Sequence, residues 1–301
     1  MLLNTIWKNA KKTDEKRFAT QARVSGVTTS SNINYCGDAE PLHLLNIVYP
    51  ASHQKGSLLP VILDIHGGGH MYGDIILNRN YCEYLSSKNF AVVNIAYRLL
   101  PQTDLSGMLQ DIYSAFFWIK QNSSSYDLDV EKCFITGDSA GAHLTMLSLC
   151  ASENENLRDK YHLPACPLNF RAVGISNCVT SISPYYPFGI LEKGIDRDMR
   201  RMLLGSEGEQ ASWANYMNIS EALAGCKLPP IFVIGSENDF LYYHTEKLIQ
   251  LLTENQSDFE AFIWKKQDGK QLGHVFHVSN WDWEQSKITN NKMLDFFMRQ
   301  L

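Results

Sequence analysis

The chain has 301 residues, 45% of them hydrophobic and 20% charged, a balance that excludes a disordered polymer and lets a chain of this length bury about 75% of its unfolded surface. Its 27 Lys plus Arg stand against 32 Asp plus Glu, a formal charge of −5 without a basic block, which excludes the clustered cations that nucleic-acid phosphates demand. The longest apolar runs, such as 58–65 and 90–97, fall well short of the ~20 residues needed to cross a bilayer, so no membrane span is expected.

Residues 1–40 are polar. Lys8, Lys11, Lys12, Asp14, Glu15, Lys16 and Arg17 form a run of mixed sign that ends in Thr28-Thr29-Ser30-Ser31, which predicts a solvated helix followed by a loop. The opening residues 1–8 show neither a basic segment nor a continuous apolar one, so a secretory signal is not expected. The odd, scattered set of seven cysteines reads as free thiols, and a reducing cytoplasm is the expected setting. From Pro41 onward short apolar runs at 42–49 and 60–65 suit adjacent strands. A helical stretch at 78–89 leads into 90–95, where continuous apolarity predicts a strand covered on both faces. Leu105, Met108, Ile112, Phe116 and Ile119 recur at steps of three and four, the mark of an amphipathic helix, before a strand at 133–136. Strand-like runs return at 172–175, 231–234 and 259–264, with helical patterns at 248–252 and 293–297. Strand and helix in alternation predict one α/β domain with a mostly parallel sheet flanked by helices. Between 177 and 227 the rhythm lapses into an aromatic- and Met-rich segment, expected to be an insertion over a binding face.

Gly137-Asp138-Ser139-Ala140-Gly141 follows the 133–136 strand and precedes a helical pattern. A serine on so tight a turn is lifted clear of the sheet, and the helix behind it aims backbone N–H groups at the same place. His66-Gly67-Gly68-Gly69 ends the 60–65 strand, and three glycines let a backbone approach a reacting atom closely, as an oxyanion hole requires. Neither Gly-Lys-Ser/Thr nor G-x-G-x-x-G accompanies them, and the glycines between His66 and His70 make a poor metal-binding helix; neither nucleotide nor metal is expected. A serine needs a base, and the base an orienting carboxylate. Asp239, in the loop after the 231–234 strand, is the expected acid, with Glu237 as alternative; His274 is the expected base, with His277 as alternative. The order Ser–Asp–His is that of α/β-hydrolases.

With Tyr97-Arg98-Leu99, Pro101 and Leu228-Pro229-Pro230, these motifs resemble, from about residue 58 to the end, the α/β-hydrolase fold and within it the hormone-sensitive-lipase-like carboxylesterases and small bacterial acetyl esterases. The resemblance implies Ser139 as nucleophile, Asp239 as acid, His274 as base and the N–H groups of Gly68, Gly69 and Ala140 as oxyanion hole, under a cap drawn from about 1–40 and 177–227. The chain departs from the pattern at Ala142, where glycine is common, at 240–243, where an acidic residue is usual, and at Val275. The expected substrate is a small, short-acyl ester, with Tyr72, Phe188 and Trp213 as pocket residues beside Tyr185, Tyr186, Met199, Met202 and Tyr216, and no cofactor. Because the base must be neutral to take a proton, activity is expected to fall towards acid pH. An arylformamidase or peptidase on the same three side chains, or a noncatalytic ligand receptor, is the alternative.

Overall fold

In chain order the protein forms α1 (Leu2–Thr20), β1 (Val27–Asn34), β2 (Leu44–Pro50), β3 (Leu59–Ile65), α2 (Arg79–Ser86), β4 (Ala91–Ile95), α3 (Leu105–Asn122) and β5 (Leu128–Asp138). There follow α4 (Ala140–Glu153), α5 (Glu155–Lys160), β6 (Phe170–Ser176), α6 (Lys193–Leu204), α7 (Ile219–Leu223), β7 (Ile231–Ser236), α8 (Tyr242–Glu254), β8 (Phe259–Trp264), α9 (Phe276–Ser279) and α10 (Glu284–Met298). This computed structural model describes residues 2–182 and 193–301; Tyr185, Tyr186 and Phe188, expected at the pocket, lie outside the described residues.

The strands make one eight-stranded sheet in the order β1-β2-β4-β3-β5-β6-β7-β8. β2 runs antiparallel to β1 and β4, and the other neighbours pair in parallel. Val61, Leu63 and Ile65 of β3 pack with Val93 and Ile95 against Ile112 and Phe116 of α3 and Leu144 and Leu147 of α4. Ile62, one residue out of phase, joins Val92, Phe134 and Phe232 on the opposite face against Tyr81 and Leu85 of α2 and Met293 and Phe297 of α10. The period of two thus survives inside runs that are apolar throughout, because helices cover both faces.

Two expectations change. Thr28-Thr29-Ser30-Ser31 is part of β1, an edge strand whose ladder to β2 pairs Thr28 with Tyr49 and Ser30 with Ile47. Its polar side chains are no obstacle, since an edge strand facing water needs little beyond backbone hydrogen bonds. The strand expected at 133–136 extends back to Leu128, where Leu59 pairs with it. The ends of β3, β5, β7 and β8 all open on one edge of the sheet, as parallel pairing demands.

Candidate active site

Ser139 stands between the last residue of β5 and the first of α4, at φ 52° and ψ −116°. A side chain with positive φ costs on the order of 1–3 kcal/mol, so the turn must be held by its surroundings. The Ser139 N–H donates to Ser176 O on neighbouring β6 at 2.9 Å, and the Ser139 carbonyl accepts from His143 N in α4.

Opposite the serine, His274 Nε2 lies 3.0 Å from Ser139 Oγ, and His274 Nδ1 lies 2.9 and 3.1 Å from Asp239 Oδ2 and Oδ1. A carboxylate only accepts, so Nδ1 carries the hydrogen and Nε2 offers its lone pair to the hydroxyl. Asp239 is buried, and its Oδ1 also accepts from Leu241 N at 2.6 Å. The Phe240 ring lies against the imidazole, centroids 4.7 Å apart. The two alternatives lie elsewhere. Glu237 pairs with Lys265 at 3.1 Å and accepts from Lys266 N, while His277 is buried between Ser176 Oγ at 2.8 Å and Asn290 Oδ1 at 2.7 Å.

The glycine loop leaves β3 beside this pair. Its first carbonyl, that of His66, accepts from the Tyr97 hydroxyl at 2.7 Å. Gly68 has φ 101°, and a Cβ there would run into the carbonyl of Tyr72, so no other residue fits. Ala140, expected to complete an oxyanion hole, is the buried first residue of α4. His66 and His70 do not converge: His66 Nδ1 donates to Gly67 O, and His70 Nε2 faces His143 Nδ1 at 3.1 Å. Elsewhere, ligand-capable atoms of Cys36, Asp38 and His43 lie within 4.8 Å of one another, though His43 Nδ1 is engaged by Asp38 at 2.7 Å.

Ser139, Gly68, Gly69 and His274 line a cavity of about 320 Å³, and Tyr72 and Met199 belong to its wall. Trp213 does not. It is buried against Tyr161, centroids 6.0 Å apart, because an aromatic ring in an inserted segment secures that segment to the core before it can serve a ligand. Tyr216 has the same neighbour, accepting the Tyr161 hydroxyl through its carbonyl at 2.8 Å, and Met202 lines a separate groove. The resemblance assigns residues 1–40 to a cap without naming a residue there; in the structure Trp7, Asp14 and Arg17 of α1 face the cavity. Trp7 stacks on Tyr72 at 6.2 Å and occupies the space a Cβ on Gly69 would need. A tryptophan just ahead of the charged run at 8–17 is the signal that could have pointed to it.

The alpha/beta hydrolase fold profile matches residues 62–278. Esterase B from Lactobacillus rhamnosis, in a structure inhibited by a C6-C4 SN3 compound, superposes with a TM-score of 0.93 at 32% identity, covering 99% of this chain and 94% of that one. A second structure of that esterase carries a C4-C4 SN3 tributyrin phosphonate, at 33% identity, a TM-score of 0.93 and coverage of 99% and 93%. An acetyl esterase of Salmonella choleraesuis is 25% identical over 198 residues, 65% of this chain and 60% of its own. The versiconal hemiacetal acetate esterase of Dothistroma septosporum is 32% identical over 100 residues, 33% of this chain and 30% of its own length. The chain thus matches less than two thirds of these curated relatives.

Proposed function

The chain belongs to the α/β-hydrolase fold family, and we propose that it is a serine carboxylesterase acting on small, short-acyl esters through Ser139, His274 and Asp239. The observation that carries this reading is the unbroken line from Ser139 Oγ through both nitrogens of His274 to Asp239. Ser139 attacks the acyl carbon while His274 takes its proton; Asp239 holds the ring in the tautomer this requires and stabilises the imidazolium. The developing alkoxide is received by the N–H groups of Gly68, Gly69 and Ala140, the last assisted by the N-terminal end of α4. His274 returns the proton to the leaving alcohol, and water cleaves the acyl-enzyme by the same route. Among the described residues no helix is long and apolar enough to cross a membrane.

A preference for short acyl groups draws support from the modest cavity and from the tributyrin phosphonate on esterase B. The segments that restrict it are α1 and the stretch 177–227, acting as a cap, with Tyr72 as a pocket residue. Ser139→Ala is expected to lower kcat on the order of 10⁶-fold with nitrophenyl butyrate. Unchanged turnover would reject the mechanism. In a nitrophenyl series from acetate to palmitate, kcat/KM is expected to peak at acetate or butyrate, and a palmitate optimum overturns the assignment of chain length.

A further inference from the structure

Beside the serine, two buried carboxyls and one amide form a chain that the ester mechanism leaves unused, and Asp138 and Asn78 of it border the cavity. Asp138, the residue before Ser139, is 5% exposed, and its Oδ1 accepts from Gly67 N at 3.1 Å and from Asn78 Nδ2 at 2.7 Å. The other Nδ2 hydrogen of Asn78 faces Asp64 Oδ2 in β3 at 3.1 Å, and Cys82 Sγ donates to that same oxygen. The amide has two hydrogens and meets two acceptors, so its orientation leaves no freedom. Contact between Asp138 and the glycine loop is equally close: a Cβ on Gly67 would strike Asp138 Oδ2 and lie 3.2 Å from Ser139 Cβ.

The loop needs such an anchor. Gly68 and Gly69 both have positive φ, which glycine adopts as readily as negative φ, so the backbone itself does not fix the loop's course and its ends must be held by neighbours. Its carbonyl at His66 is held by Tyr97, and its first free N–H, that of Gly67, is held by Asp138. A carboxylate this near a developing alkoxide is tolerable only when its charge is occupied. Burial raises the Asp138 carboxyl above its ordinary value, against the opposing pull of the Asn78 amide, His274 and the Gly67 N–H.

We propose that Asp138 is a positioning residue: its carboxylate, steered by Asn78, holds Gly67 and so aims the N–H groups of Gly68 and Gly69 at the substrate carbonyl oxygen. The inference rests on the reading of Ser139 as nucleophile. Asp138 and Asn78 also border the cavity, but the contact at issue is the one that aims an oxyanion donor, so its loss belongs chiefly in kcat rather than in KM.

The test compares wild type, Ser139→Ala, Asp138→Ala, Asp138→Asn and Asn78→Ala on nitrophenyl butyrate, with a thermal melt for each. Asp138→Ala is expected to lower kcat about 100-fold with KM changed by less than about threefold. Asp138→Asn keeps an oxygen for Gly67 N–H and is expected to restore at least about tenfold of that loss, and Asn78→Ala to lose about tenfold. The inference is overturned if Asp138→Ala keeps kcat within about threefold, if the loss sits in KM, or if Asn is no better than Ala. Should Asp138→Ala not fold, Asn78→Ala decides alone: reduced kcat at unchanged KM supports the role, and unchanged kcat rejects it. Loss of activity in Ser139→Ala with none in Asp138→Ala overturns the positioning role only. Turnover surviving Ser139→Ala overturns the mechanism and this inference together.

Discussion

His274 and His277 sit three positions apart, and only one touches the serine. His277 is fully buried, with both ring nitrogens occupied by Ser176 and Asn290, so it binds the sheet to α10. His274 follows Gly273 on an irregular segment and keeps a partly exposed ring. His274→Gln is therefore expected to abolish turnover at nearly unchanged melting temperature. His277→Gln should retain activity but melt several degrees lower, as befits a buried pair of hydrogen bonds worth about 1–3 kcal/mol when left unsatisfied. Assays beside melts separate them, and the reverse pattern would refute the assignment. The glycine loop offers a second comparison. Gly68→Ala forces a Cβ into the Tyr72 carbonyl at a positive φ, and kcat is expected to fall by about 100-fold or more while the fold persists. Glycines in a row signal that a backbone must come close to something; the carbonyl that Gly68 must avoid lies four residues on, in a loop no periodicity describes.

Among the elements, α1 is the one for which the charge pattern and the resemblance give different roles, a solvated helix and part of a cap. Its charge pattern suggests a helix in water, yet Arg17 donates to Ser279 O at 2.9 Å, Gln21 to the same carbonyl at 3.1 Å, and Trp7 lies across the glycine loop. Lys8, Lys11, Lys12, Glu15 and Lys16 stay exposed, while Trp7, Ala10, Asp14 and Arg17, at steps of three and four, face the cavity over about three turns. Trp7→Ala is accordingly expected to raise KM for the butyrate ester about tenfold, the equivalent of about 1.4 kcal/mol of lost contact, and to leave kcat less affected. Steady-state kinetics check this; a fall confined to kcat would mean that Trp7 instead supports the loop. β1 escaped a reading by pattern for a related reason. Strand signals come from apolar alternation, whereas an edge strand can be held by its ladder alone. Trp213 shows the converse error, since an aromatic residue in an insertion satisfies its apolar surface wherever it first meets the core.

At the level of the whole molecule, the pH dependence of stability is set by groups held away from their solvent protonation states. Burial pushes His66, His143, His244 and His277 down to about 4, and His70 well below its ordinary value with help from His143. The unfolded chain protonates them near 6.5, so stability is whole above that pH and lost as pH falls towards 4. Asp64 acts in the opposite sense. Burial and neighbouring Asp138 raise it to about 8, so the fold keeps a proton that the unfolded chain releases near 4, and stability declines as pH rises through 8. Five buried histidines outnumber the buried carboxyls Asp64 and Asp138 that oppose them, so unfolding takes up protons in acid and stability falls as the pH drops below 6.5. The melting temperature is thus expected to peak near pH 7, to drop steeply below 6, and to decline gently towards 8. Asp64→Asn should remove much of the alkaline decline, because an amide imitates the neutral acid; melts in which the variant declines as steeply as wild type would contradict this.

A reader of the bare chain can recognise the alternation of strand and helix, the turn around Ser139 and the glycine run after β3, since each is written in residues adjacent along the backbone. The identity of the fold follows from those local signals, as the family match over 62–278 attests. What had to wait for three dimensions are the contacts between distant positions: α1 over the loop, Trp213 on Tyr161, and Asn78 poised between Asp64 and Asp138. Such contacts have no period and no motif. They depend on which surfaces the packed sheet presents to one another, and a side chain's neighbours across 60 residues of chain are settled by the free energy of the whole core rather than by anything beside it in sequence.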